Sequence, residues 1–363
     1  MALPAGRAVV SCPAPFGSGG LGRHLKELVD ALDRRGQRPA VISEGAPETA
    51  ALRASRQSRS LVGARALAPL ARTSAAWRIW AASVAFDSYA ARRLAPAEHL
   101  IAFNGTAEAQ LRLAPSLGYQ SSSLVAANSH YRRVLRQHAR AEKQYPLEAP
   151  WARHLLRRNL REYALADRIC VASRYVWESF VEEGTAEDRL SLFPLTPDPR
   201  FTPQLPDGIG AEPAAQDGQS FDIVYVGALT VHKGVPLLVE AFRRAAASSA
   251  EVRLILVGGW KTRGMKRFLQ RTCAEDPRVV VSHGDPLPAL RRAGLYVHAA
   301  YEDGFAYAPA EALACGVPVL VSEDTGMKEL VEAHGGGLVL PTGDLGVLTE
   351  AIEAACRGEL AYA

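Results

Sequence analysis

Two carboxylates, Asp303 and Glu311, stand eight positions apart in the run Asp303-Gly-Phe-Ala-Tyr-Ala-Pro-Ala-Glu311, which continues Ala-Leu-Ala-Cys-Gly-Val-Pro-Val-Leu-Val321. The run reads as a short loop, a helix and a buried strand. Eight residues is a little over two helical turns, so a helical segment would set both acids on roughly one side. Gly304 leaves backbone N–H groups open at the start of that helix, and such a start favours anions through its dipole and its donors. Carboxylates suit sugar hydroxyls, and backbone amides suit phosphate. The combination points to a nucleotide-sugar. The bland alternative is a surface acidic loop that caps an amphipathic helix.

Other residues sit where strands end. Gly17-Ser-Gly19-Gly20-Leu-Gly22 fits G-x-G-x-x-G, with Glu44 about 20 residues further on. Alone, that pattern reads as a dinucleotide fingerprint and hence an NAD(P)-dependent oxidoreductase. The fingerprint needs its first glycine directly after the strand. Here Cys-Pro-Ala-Pro-Phe intervenes between Ser11 and Gly17, and two prolines predict an extended loop. Val226-Gly-Ala228-Leu-Thr-Val-His232-Lys233-Gly234 reads as strand, turn and helix start. His130 closes Asn128-Ser129-His130, after the strand 123–127, and the bland reading of it is a loop histidine. Asn104 follows the preceding strand, and Ser173 and Arg174 a later one. Carboxyl ends of strands are where parallel sheets bind ligands, so these three are acceptor-side candidates.

The segment from Asp303 to Val321 resembles the acidic-pair motif of glycosyltransferase family 4. The resemblance covers most of residues 7–355, and its specific motifs lie in 221–340. It implies the GT-B fold, an α/β architecture of two Rossmann-like domains whose parallel sheets face each other across a cleft. It also implies a retaining transferase that needs no metal or other cofactor and uses a nucleotide-diphosphate sugar as donor. By this match Glu311 bonds the donor ribose, Asp303 a hydroxyl of the transferred sugar, and Lys233 the diphosphate. The backbone around Gly304, Phe305 and Ala306 lines the donor site. Gly19 and Gly20 let the first loop approach the donor phosphate, and His130 lies near the transferred sugar. Ser282 and His283 stand where the nucleobase meets backbone groups.

The chain departs from the family at four places. Asp303 replaces the usual Glu, Ala306 the usual Gly, and Ala228 the common Arg, which leaves His232, Lys261 and Arg263 as helper cations for Lys233. The family's last crossing segment is also not seen before Ala363. These departures motivate a second reading, a catalytically silent nucleotide-sugar-binding scaffold.

The elements that must position these residues alternate. Strands are predicted at 7–11, 39–43, 99–103, 123–127, 168–173 and 190–194, with helices at 21–35, 153–166 and 176–183 between them. Residues 47–98 read as alanine- and arginine-rich helices broken at Pro69 and Pro96. The stretch 197–220, rich in Pro, Gly, Asp and Gln, reads as a linker. The alternation then resumes from Phe221 to about Ala355. The expected organisation is therefore an acceptor-side domain over 1–196, a linker over 197–220, and a nucleotide-sugar domain over 221–363. Strand–helix alternation in both halves implies two covered parallel sheets.

Composition sets the outer bounds. A chain of 363 residues is long enough for two domains. Its five cysteines are scattered, without a Cys-x-x-Cys pair, which excludes the usual zinc and disulfide frameworks and fits a reducing compartment. With no signal peptide and no apolar run of spanning length, a cytoplasmic protein is expected, peripheral on the inner membrane face at most. No nucleic-acid partner is read from the chain. Residues 1–200 hold 28 Lys and Arg against 18 Asp and Glu, and residues 201–363 hold 14 against 20. The basic half is expected to capture an anionic acceptor or lipid headgroups, or to be plain solvated surface.

Overall fold

The structure is a computed structural model, and it describes residues 6–44, 75–148, 155–203, 221–247 and 251–360. The chain divides into two compact α/β units. One holds residues 1–136 and 149–195, the other 137–148 and 196–363.

The first unit is built on a parallel sheet of β1 (Ala8–Pro15), β2 (Ala40–Glu44), β3 (His99–Phe103), β4 (Ser121–Ala126), β5 (Arg168–Val171) and β6 (Leu190–Leu192). Its order is β2-β1-β3-β4-β5-β6. The central strands are apolar on both faces, as a sheet covered on both sides requires. Leu100, Leu124 and Ile169 face one core, and Val10, Ile101 and Val125 the other. Because every pairing is parallel, all carboxyl ends lie along one edge. The direction of strand order reverses between β1 and β3, which brings the loops after those two strands together.

The second sheet comprises β7 (Phe221–Val226), β8 (Val252–Val257), β9 (Val279–Ser282), β10 (Ala293–His298), β11 (Val319–Ser322) and β12 (Gly337–Leu340). Its order is β12-β11-β10-β7-β8-β9, so the switch point falls between β7 and β10. The loops carrying Lys233 and Asp303 are those that leave β7 and β10. Strand order thus brings together two segments about 70 residues apart in sequence.

Two expectations are corrected here. β1 runs to Pro15, where a loop was expected from Cys12. Past Cys12 its pairing with β2 shifts register and resumes only at Pro15–Glu44. A proline, which lacks an N–H, is tolerated at such an irregularity. The division at 197–220 also placed residues 137–148 in the first half, whereas they pack with the second unit. They are the end of the helix Tyr131–Gln144 and the turn after it. Ala141 joins the second core, the Tyr145 hydroxyl donates to Glu240 at 2.7 Å, and Tyr301 donates to Gln144 Oε1 at 2.6 Å. Glu148 accepts from the Val231 N–H at 3.0 Å and the Thr262 hydroxyl at 2.8 Å. Of the expected linker only 197–203 falls among the described residues, and of the expected helices over 47–98 only Ala75–Ala91 is described.

Candidate functional site

In the second unit the site is assembled by two loops knitted to each other. The β7 loop ends at Gly234, whose φ of 71° and position admit no side chain, since a Cβ there would stand 1.8 Å from the Ala299 carbonyl oxygen. The Tyr301 N–H donates to the His232 carbonyl at 2.8 Å. Tyr225, wholly buried, donates from its hydroxyl to the Ala228 carbonyl at 3.0 Å and fixes the turn where the loop begins. Lys233 is thereby carried to the β10 loop. Its Nζ stands 2.8 Å from Asp303 Oδ2 and donates to the Glu302 carbonyl at 3.2 Å.

Asp303 is held through its backbone. It pairs with Thr325 in a parallel bridge, donates its N–H to Asp324 at 3.2 Å, and accepts from the Gly326 N–H at 3.0 Å. The Thr325-Gly326 turn after β11 is therefore part of the site's frame. Asp303 lies in this bridge and not in a helix, so helical spacing does not explain how the two acids relate. The helix begins only at Tyr307, after Ala306, the non-glycine residue with positive φ (62°) among the described residues. Glu311 lies in that helix, Tyr307–Ala314, and is 2% exposed. Both acids act on one buried phenol. Burial foremost, then the charges around it, Glu311 and Asp303 included, push the Tyr296 hydroxyl well above its ordinary pKa.

Burial alone would raise the Asp303 pKa. The Lys233 ammonium and the His298 ring together outweigh it, and Asp303 is held well below the usual carboxylate range. It is an anion throughout the physiological range. The sequence did not single out His298, whose Nε2 is 3.2 Å from Asp303 Oδ2.

Further along the same sheet edge, Ser282 ends β9, and its carbonyl accepts from the Gly258 N–H at 2.9 Å. The His283 ring meets Trp260 edge-on at 5.6 Å. Phe305 is 7% exposed and packs edge-on against Tyr307. Of the helper cations, Lys261 and Arg263 are exposed at the start of the helix Arg263–Glu275. His232 instead stacks on His138 with ring centres 4.4 Å apart.

The remaining candidates lie in the first unit, along the carboxyl edge of its sheet. Gly19 opens the helix Gly19–Asp33 at φ 62°, with Gly20 beside it. Gly17 donates its N–H to the Gly22 carbonyl at 2.9 Å. A Cβ on Gly22 would stand 2.0 Å from the Pro15 carbonyl oxygen, so this helix can approach β1 only through glycine. With β1 extended to Pro15, the loop is tighter than the prolines implied, and by itself it fits either a dinucleotide or a nucleotide-sugar.

His130 follows β4. Its ring is buried between Tyr163 (4.9 Å) and Phe180 (5.1 Å), and its backbone N–H donates to the Ser179 hydroxyl at 2.8 Å. Burial lowers its pKa to about 4. Asn104 donates to Asn159 at 3.0 Å. The Ser173 hydroxyl caps the helix Arg174–Glu182 by accepting from the Val176 N–H at 3.2 Å, and Arg174 lies over the Trp177 ring. Behind Asn104, Glu162 is wholly buried and accepts from the N–H groups of Ala107 (2.9 Å) and Glu108 (3.1 Å). Arg158 joins Glu162 to Asp87.

The arginine run between Arg132 and Arg161 is less unbalanced in space than in sequence. Arg132 and Arg136 pair with Glu183, Arg133 with Glu182, and Arg161 with Glu108. No helix among the described residues is long and apolar enough to cross a membrane.

Residues 211–362 match the family model of glycosyl transferases group 1. The chain is 29% identical over 196 residues to a GDP-mannose-dependent alpha-mannosyltransferase of Mycobacterium tuberculosis, covering 53% of this chain and 47% of that protein. It is 28% identical over 145 residues to the capsular polysaccharide biosynthesis glycosyltransferase CapM of Staphylococcus aureus, covering 39% and 38%. The matched stretch thus spans less than half the length of either relative. Among solved structures, HepE of Anabaena in complex with UDP and glucose superposes with a TM-score of 0.69 at 14% identity, over 98% of this chain and 91% of that one. The fold is that of GT-B glycosyltransferases.

Proposed function

From the premise that residues 211–362 form a glycosyl transferases group 1 domain, we propose that the protein moves a sugar from a nucleotide-diphosphate sugar to an acceptor hydroxyl, with retention of anomeric configuration, in the manner of family 4. The observation that carries this reading is the Lys233–Asp303 pair, 2.8 Å apart at the switch point of the second sheet, next to the helix that holds buried Glu311. A cation and an anion side by side match the two ends of such a donor. Lys233 meets the diphosphate, Asp303 a sugar hydroxyl, and Glu311 the ribose.

In the reaction the bond from the anomeric carbon to the diphosphate oxygen breaks, and a bond to the acceptor oxygen forms on the same face. The acceptor proton passes to the departing phosphate oxygen. Charge grows on the diphosphate as the bond breaks, and the Lys233 ammonium opposes it there without reorganisation. The relatives' printed activities and the UDP and glucose bound to HepE support a nucleotide-sugar donor. The match in the second unit favours this reading over the oxidoreductase that the first glycine loop alone allows.

The test is a thermal-shift screen with UDP-, GDP-, ADP- and dTDP-sugars, since a ligand bound only to the native state raises Tm. One nucleotide class should raise Tm in the wild type. With that donor, Lys233→Ala should lower turnover about 100-fold, in line with the roughly 3 kcal/mol carried by a single preorganised group. The anomeric proton coupling of the product should match that of the donor. No shift with any donor, or wild-type turnover in the variant, overturns the reading, and an inverted product overturns retention.

A further inference from the structure

Asp303 carries both of its side-chain contacts on one oxygen. Lys233 Nζ and His298 Nε2 both meet Oδ2, at 2.8 and 3.2 Å, so neither of them uses Oδ1. Given the proposed function, on which any sugar-holding role of Asp303 rests, the two neighbours fare differently when a donor arrives. Lys233 has a flexible four-carbon stem, and a diphosphate competes for its ammonium. As Lys233 turns to phosphate, Oδ2 loses its cation at the moment Asp303 must hold a sugar hydroxyl in fixed geometry.

His298 has no such freedom. It is the last residue of β10 and 3% exposed. Its ring lies parallel to that of Tyr225, 7° apart in plane and 6.2 Å between centres. Its carbonyl accepts from the Ser322 hydroxyl at 3.3 Å, which ties it to β11. Its Nδ1 is buried without a hydrogen-bond partner among the described residues. The ring therefore has one polar task, to donate Nε2–H to Asp303. A buried imidazole nitrogen left unmet costs free energy that an apolar side chain at this strand position would not. What the histidine contributes is accordingly the placement of the carboxylate.

We propose that His298 is a positioning residue for the sugar-holding carboxylate: it keeps Asp303 Oδ2 pinned when Lys233 turns to the diphosphate, so that Oδ1 is presented to a hydroxyl of the donor sugar. It touches neither diphosphate nor nucleoside. Its effect must therefore appear only in the affinity that the sugar adds to the nucleotide, and in kcat.

The test compares wild type, His298→Leu and His298→Gln by calorimetry, with UDP against UDP-glucose and GDP against GDP-mannose. A glutamine amide donates an N–H from nearly the place of Nε2, and leucine does not. The leucine variant should keep the affinity of the bare nucleotide within about twofold, lose about tenfold of the sugar's added affinity, and lower kcat. Glutamine should restore most of both. Full sugar increment in the leucine variant overturns the proposal, as does an equal loss for nucleotide and nucleotide-sugar. Wild type that binds none of the UDP-, GDP-, ADP- and dTDP-sugars overturns the function itself, and with it this role, and wild type that takes only an ADP- or dTDP-sugar is compared with that nucleotide and its sugar in the same way. If the leucine variant does not fold, the wild type decides by NMR. The His298 Nε2–H resonance should move with the nucleotide, whose diphosphate draws Lys233 off Oδ2, and move further with the nucleotide-sugar, and a signal that is indifferent to both or moves equally with both overturns the proposal.

Discussion

Lys233 and Asp303 neutralise each other across 2.8 Å, while Glu311 sits almost fully buried in the adjoining helix. Burying a carboxylate is costly, and a surface role would not need it. Glu311→Gln keeps the shape and removes the charge. It should weaken binding of the nucleotide-sugar found in the donor screen by about 1.5–3 kcal/mol while leaving Tm within a few degrees. Calorimetry beside a melting curve checks this, and unchanged affinity would take Glu311 out of the site. At this scale the nearness of Lys233 to Asp303 was legible, because their place after apolar strands of one parallel sheet carries the signal. His298 was not. It ends an apolar strand five residues before Asp303, and nothing in the spacing tells that the loop between them folds the acid back onto the ring. The helper cation sought in His232 was likewise a matter of packing, since that ring is taken up by His138.

Elements owe their placement here to two backbone positions of opposite kind. Gly234 adopts φ 71° against a carbonyl that leaves no room for a methyl, whereas Ala306 adopts φ 62° with its methyl present. A left-handed non-glycine residue costs about 1–2 kcal/mol, part of which glycine gives back through its freer unfolded chain. Ala306→Gly should therefore raise stability by up to about 1 kcal/mol. Gly234→Ala should lower it and depress turnover with it, because the Lys233 loop must move off Ala299. Denaturation midpoints and donor turnover read both outcomes, and a neutral Gly234→Ala would mean that this close approach is not needed.

The strand–helix alternation was legible from period and punctuation, and the strand expected at 99–103 matches His99–Phe103 residue for residue. The helix Tyr131–Gln144 was not. Its face is marked by Tyr131, Val134, His138 and Ala141, a helical spacing in which a histidine and an alanine stand for larger apolar residues, so arginines dominated the reading. The partners of those arginines, Glu182 and Glu183, come from a helix about 50 residues later, and no local charge count finds them.

Among the described residues four histidines are held below their ordinary pKa, each chiefly by burial. His24 and His138 fall to about 3 and His130 to about 4, and His232 is also lowered. The unfolded chain binds protons at these sites near pH 6.5, and the native state does not until nearer pH 4. The stability they contribute is thus fully present above about pH 6.5 and is lost as the pH falls towards 4. The urea midpoint should drop between pH 7.5 and 5.0, although Glu162, pushed up to about 7 chiefly by burial, takes up its proton in the native state over the same range and offsets part of the fall. His24→Phe, in a pocket already walled by Phe103 and Phe193, should make that drop smaller. A midpoint unchanged over this range would mean that these histidines titrate in the native state.

The second unit completes its core and the frame of its lysine loop with residues 137–148, contributed from a stretch that interrupts the first unit between 136 and 149. The stretch that the family model matches, 211–362, thus leaves out part of the physical unit. Recombination that moved only that stretch into another protein would carry Lys233, Asp303 and Glu311 intact and leave Glu148 and Tyr145 behind. The recipient would then need an equivalent brace of its own, so exchange of this unit between chains is restricted to partners whose first half already offers one.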